Sequence, residues 1–277
     1  MPQAHGASPI VEFGDDLGLL SQVIITGKKV GAGRALYSRL AHDEAFFRRV
    51  VDLAEPKDGN APSVRFASLK TARKILGADK VYTGARVAKK WSVELGADVP
   101  VRYTDADLVE AARENAAGTA DWRVVRVLGL WSPRELHARF GTDPKSQPCF
   151  YKNSTWWLGK SEDKWATRKP TPGYYLFDFS GKWGSMSWDA QEVQITASGP
   201  DFERADEAAL TEAVFTIFQL TGERLLENWY HWGPTLDSDG DRVYVGNFDR
   251  GGLDVGRDHP GCSGGNLRVV RSRKFRS

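Results

Sequence analysis

Lysine, glutamate, glutamine, methionine and tryptophan are all missing between Gly233 and Arg273, although the preceding chain is rich in lysine and glutamate and holds all ten tryptophans, the last at Trp232. Glycine, aspartate and asparagine supply the backbone geometry that turns need, so a turn-rich segment uses few helix formers in any protein. Turn chemistry accounts for part of the gap. The remainder follows a coding pattern. Every residue type present there can be written by a codon ending in a pyrimidine, the set reached when the adenines of asparagine codons are replaced at random, and the missing five cannot. Composition thus marks 233–273 as a candidate diversified segment.

Other shortages narrow the classes of function. Only two cysteines occur, Cys149 and Cys262, far apart and without metal-ligand neighbours, which argues for free thiols and against a disulfide framework. No apolar run approaches the length of a membrane span, and residues 1–9 lack the basic-then-apolar pattern of a secretory signal, so a cytoplasmic address and no membrane partner are expected. A formal net charge of +2 gives no strong pull toward nucleic acid. Glycines and lysines at 27–33 lack the Gly-x4-Gly-Lys-Ser/Thr spacing of a phosphate loop and read as plain loop.

The 277 residues present a helical front and a strand-rich back. Apolar spacing predicts helices over 43–54, 68–76, 83–95 and 104–115, a strand over 122–131, and a short helix that Ser132-Pro133 starts and that runs to Phe140. Lys169-Pro170-Thr171-Pro172-Gly173 is the clearest punctuation and the expected domain boundary. It divides the chain into an unassigned segment 1–60, a mostly helical domain 61–169 and a third domain 170–277. In the third, a strand is expected over 174–179, helices over 187–196 and 202–220, and short strands over 242–248, 253–255 and 266–271.

Residues 221–228 (Thr-Gly-Glu-Arg-Leu-Leu-Glu-Asn), Asp237-Ser238-Asp239-Gly240, Arg242-Val243-Tyr244-Val245-Gly246, Gly252-Leu253-Asp254-Val255 and Arg273-Lys274 together resemble a family of bacterial hypothetical proteins with hypervariable C-termini. These are similar to the variable target proteins of diversity-generating retroelements, whose terminal coding segment is rewritten at adenine positions by an error-prone reverse transcriptase. The resemblance runs from about Tyr82 through Pro172-Gly173-Tyr174 and Trp188-Asp189 to the end. In that family the tail more often reads Leu-Gly-Val, where this chain has Leu267-Arg268-Val269. The resemblance implies an α+β fold: a helical N-terminal region followed by a C-type-lectin-like domain, of the kind also seen in formylglycine-generating enzymes, with short antiparallel strands of which the last pairs with the first.

Alternation along the terminal strands assigns Val243, Val245, Leu253, Val255, Leu267 and Val269 to the core. The candidate variable, ligand-binding face is then Asp241, Arg242, Tyr244, Asn247, Asp249, Arg250, Asp254, Arg257, Asp258, His259, Asn266, Arg268 and Arg271. Tyrosine and arginine make binding hot spots, and small polar residues make adaptable contacts. Asp237, Asp239 and Asp241 open like a calcium loop, but Arg242 and Phe248 stand where that loop needs glycine and glutamate, so a hairpin turn at Asp239-Gly240 is expected and no metal or cofactor. His231 and His259 have no nucleophile or paired carboxylate at motif spacing, and Cys262 alone is a poor match to thiol-dependent oxidase chemistry. The tryptophans are expected mainly to pack. The expected protein is therefore a non-enzymatic binder of a protein or other macromolecular ligand. The alternative is a DNA-associated regulatory or mobile-element protein using the basic helices 68–95, with Lys70, Arg73, Lys74, Lys80, Arg86, Lys89 and Lys90.

Overall fold

Helix α1 (Leu69–Leu76) begins at Ser68, whose Oγ accepts the Thr71 amide at 3.0 Å, satisfying one of the amides that a helix start leaves unpaired. The computed structural model describes residues 65–96 and 98–276, with 33, 37–39 and 42–44, so the helix expected over 43–54 and the loop over 27–33 lie outside the described residues apart from a few positions. After α1 come β1 (Val81–Tyr82), α2 (Gly84–Trp91), α3 (Asp105–Ala116), β2 (Trp122–Val127), α4 (Pro133–Phe140) and α5 (Asp163–Ala166). Then follow β3 (Gly173–Lys182), α6 (Trp188–Ser198), β4 (Phe202–Arg204), α7 (Glu207–Thr221), β5 (Tyr230–Leu236), β6 (Arg242–Asp249), β7 (Gly252–Asp258) and β8 (Leu267–Arg273). Thr104 with Asp107 and Ser132 with Glu135 form reciprocal capping boxes, and Pro133 occupies the first turn of α4.

The fold is mixed α+β. Among the described residues, eight strands form one mixed sheet in the order β1-β2-β3-β8-β5-β6-β7, with β4 pairing β8 off that path. The expected pairing of first and last strands of the C-terminal part is present, Leu176↔Arg273 to Lys182↔Val269. The strands are not all antiparallel: β1 runs parallel to β2, and β5 parallel to β8. Alternate residues of the central strands feed two cores. Tyr82, Val125, Phe177 and Val270 pack with α2 and α7, while Val81, Val124, Leu176 and Val269 pack with α1 and α3.

Several expectations need correction. The chain divides into Met1–Ser63 and Val64–Ser277, not at 169–173. The proline run ends one stretch of chain, but β3 then returns antiparallel to β2, from Trp122↔Asp178 to Val127↔Gly173, so the boundary is a connection within one body. The region 61–169 is accordingly not a helical domain of its own. Phe202–Arg204 is a strand paired with β8, and the helix starts only at Glu207, where Asp206 accepts the Ala209 amide at 3.0 Å. Strand β5 falls where only loop was expected. Among the described residues no helix is long and apolar enough to cross a membrane.

Candidate functional site

The β6–β7 hairpin and its neighbour β5 carry the candidate face. The registers Arg242↔Asp258, Tyr244↔Gly256 and Gly246↔Asp254 place Arg242, Tyr244, Asp254 and Asp258 on one side, and Tyr230↔Gly246 adds Tyr230. All six residues assigned to the core are buried, Val243, Val245, Leu253 and Val255 on the other side of the hairpin and Leu267 and Val269 on β8. A Cβ on Gly256 would stand 2.3 Å from the Tyr244 ring, so this phenol lies across β7 at a position without a side chain. The Tyr244 ring meets that of Tyr230 at a centroid distance of 4.7 Å, and the Tyr230 hydroxyl donates to Asp254 Oδ2 at 3.2 Å. Burial, reinforced by the Asp254 charge, pushes both phenols above their ordinary pKa, so both stay protonated near neutrality.

Around this pair, Arg242 stacks 3.8 Å over the Trp188 ring and donates to the Pro234 carbonyl. Asp258 Oδ1 accepts the His259 amide at 2.9 Å and the Cys262 thiol at 2.8 Å, and that bond raises the thiol pKa. His259 Nδ1 accepts the Gly261 amide, turning the ring back into its own loop. Arg268 Nε donates to the Gly265 carbonyl, and the Asn266 carbonyl accepts the Tyr230 amide. Asn247 adopts φ 44° beside Trp229, whose carbonyl accepts its amide. Asp249 and Arg250 sit at the β6–β7 turn, where Gln147 Nε2 donates to the Arg250 carbonyl at 3.0 Å.

Two candidates do not belong to the face. Arg271 is 7% exposed and pairs with Asp178 at 2.8 Å and Glu114 at 2.9 Å, because β8 is covered on both sides and its alternation leads to a second interior rather than to solvent. Arg257 shares its register with Val243, and its guanidinium is fixed by Asp237 and Asp239 over the Trp156 ring. Asp241 belongs to the expected hairpin turn: its amide and that of Asp239 both donate to Asp237 Oδ1, at 2.8 and 2.9 Å. Asp237 is thus filled by protein donors. Among the described residues no group of three or more His, Cys, Asp or Glu side chains could hold a metal ion.

Sequence reasoning missed Tyr230 and Trp188. Tyr230 stands in the run Trp229-Tyr230-His231-Trp232, whose alternation is hidden by Gly233-Pro234, and the link from Trp188 to Arg242 spans too much chain to leave a local signal. His231 is fully buried. The Val270 amide donates to its Nδ1, so Nε2 carries the proton and donates to the Ala205 carbonyl at 2.8 Å. Burial and the nearby Arg204 lower its pKa to about 3, making it a neutral strap between β5, β8 and the β4–α7 link. Cys149 and Cys262 are both free thiols.

The basic helices lack helix-turn-helix geometry. Strand β1 separates α1 from α2 and enters the sheet, so Lys70, Arg73 and Lys74 on α1 and Arg86, Lys89 and Lys90 on α2 belong to helices on opposite sheet faces, and Lys80 is paired with Asp121 at 2.7 Å. Comparison of the chain with protein-family models, with curated proteins and with solved structures returns no match.

Proposed function

We propose that this chain is a non-enzymatic binding protein that presents a sequence-diversified surface on a C-type-lectin-like scaffold, and that its ligand is a protein or other macromolecule. One observation carries the reading. Over 242–246 and 253–256 the side chains that close the core alternate by register with those that face outward, a pattern interrupted only by the irregularity between Gly246 and Asp249. Core truncation costs about 2–5 kcal/mol, whereas change at an exposed position usually stays within about 0.5 kcal/mol, so such a hairpin tolerates rewriting on one side only. A contiguous pair of tyrosines with arginine and carboxylates around it suits a flat macromolecular contact. The protonated phenols, the inward-turned His259 and the raised Cys262 thiol offer no activated nucleophile there. Antiparallel pairing of β3 with β8, with α6 and α7 between them in sequence, supports the scaffold assignment.

A paired library tests the proposal. Members randomised with pyrimidine-ended codons at Arg242, Tyr244, Asp254 and Asp258 should mostly keep a cooperative melt. Members randomised at Val243, Val245, Val255 and Arg271 should mostly fail to fold. Equal failure in both sets would sink the reading, as would a near-copy of the terminal coding segment whose differences fall evenly on all four bases instead of on adenines.

A further inference from the structure

Bordering the tyrosine face at Trp188, α6, β4 and the chain leading into β3 enclose an open cavity of about 570 Å³, within the range of about 300–1,000 Å³ typical of small-molecule sites. Of its lining, only Pro234 and Ser272 fall within 233–273. Six charged side chains reach it, and four are already matched. Arg168 pairs with Asp206. Arg204 pairs with Glu192 at 2.6 Å, donates also to Gln191 and to the Trp232 and Trp188 carbonyls, and lies 4.6 Å over the Trp188 ring, so it serves as a saturated floor.

Glu203 and Lys274 make no ion pair among the described residues, although the Lys274 ammonium donates to the Pro200 carbonyl at 2.8 Å. They emerge from adjacent strands: Phe202 pairs with Arg273 and Glu203 with Ser272, which puts Lys274 one place beyond that register. Partial burial pushes the Glu203 carboxyl above its ordinary pKa, with Lys274 pulling it back, as for a carboxylate that lacks a close counter-charge. The cavity's lining mixes polar groups with apolar ones, among the latter Tyr175, Ile195, Phe202 and Phe275. Tyr175 and Phe275 pack edge to face at 4.7 Å, and the Tyr175 hydroxyl donates to the Thr171 carbonyl at 2.9 Å.

We infer that this cavity binds a small zwitterion, an ammonium and a carboxylate on an apolar frame, with free aromatic α-amino acids as the simplest class. The ammonium meets Glu203, the carboxylate meets Lys274, and the side chain lies against Tyr175 and Phe275. A ligand with a single charge would leave the other protein charge unmatched.

Trp188 forms one wall of the cavity, so its fluorescence, with isothermal titration as a second readout, reports occupancy in the full chain. Phenylalanine, N-acetylphenylalanine and phenylalanine amide are the probes. Phenylalanine should bind, and loss of either charge should weaken binding by about tenfold or more, the worth of one charge-assisted hydrogen bond. Glu203→Gln should weaken phenylalanine but not N-acetylphenylalanine, and Lys274→Met should weaken phenylalanine but not its amide. Both positions are exposed, so the variants are expected to melt like the parent. Equal binding of phenylalanine and either derivative, or no binding of phenylalanine, tyrosine, tryptophan or leucine at millimolar concentration, overturns the assignment. Tyr244→Ala should leave phenylalanine binding unchanged, and its loss there would place the ligand on the face and overturn the cavity site.

Discussion

Arg257 and Arg271 both stand in the segment 233–273, and both are held by carboxylates, Arg257 by Asp237 and Asp239 within that segment and the buried Arg271 by Asp178 from outside it. Type and spacing in the sequence identify an arginine, but not the partner that meets it, and for Arg271 that partner, Asp178, lies on another strand. Core positions were legible for the opposite reason: a valine at an inward register needs no distant partner to decide where it goes. Buried acids escaped notice in the same way. Glu207 accepts the Thr235 amide and hydroxyl, and Glu212 accepts the Leu128 and Gly129 amides. Burial raises the pKa of each to about 7, from 4.5 for an ordinary glutamate. The folded state therefore holds these protons more tightly than the unfolded chain, so each group makes stability fall as pH rises from about 4.5 to 7, by on the order of 3 kcal/mol. Urea unfolding of the parent and of Glu212→Gln at pH 5 and pH 8 isolates one of them: the parent should lose stability relative to the variant by roughly that amount, and parallel pH profiles would show that Glu212 does not titrate in this window.

At the scale of elements, helix starts were readable because their signals are local. Ser68, Thr104, Ser132 and Ser187 each sit where the helix begins. Strands β4 and β5 were not readable, since Phe202–Arg204 continues the apolar spacing of the helix that follows, and β5 contains Gly233-Pro234. Their positions are fixed by β8, which both of them pair. Glycine has unequal weight in this sheet. A Cβ on Gly246 would stand 2.2 Å from the Trp229 carbonyl oxygen and 2.6 Å from Tyr230 Cα, both backbone atoms, so β5 and β6 would have to part. On Gly256 the three nearest atoms all belong to the Tyr244 side chain, which can swing aside. Gly246→Ala is expected to cost about 1–3 kcal/mol and Gly256→Ala under about 1 kcal/mol while moving the tyrosine. Thermal denaturation of the two variants checks this, and equal losses would refute it.

At the scale of the molecule, the proline run at 169–172 suggested two domains because composition reports where a chain turns, not what it pairs with afterwards. With β2 bonded along β3, a fragment of residues 170–277 exposes that edge and uncovers the apolar faces of Tyr174 and Leu176. The fragment should show no near-ultraviolet circular dichroism and no cooperative melt, whereas residues 64–277 should unfold in one transition. A fragment 170–277 that melts cooperatively would restore the two-domain division.

Strand β8 lies between β3 and β5, yet a ribosome makes it after both. Until residues 267–273 emerge, the nascent chain has two facing strand edges and nothing to join them, so a product truncated anywhere in 233–266 cannot close its sheet. All stop codons end in a purine. If the segment is rewritten only with pyrimidine-ended codons, as proposed, no stop codon can arise in it, and the gene would keep the strand on which closure of the sheet depends.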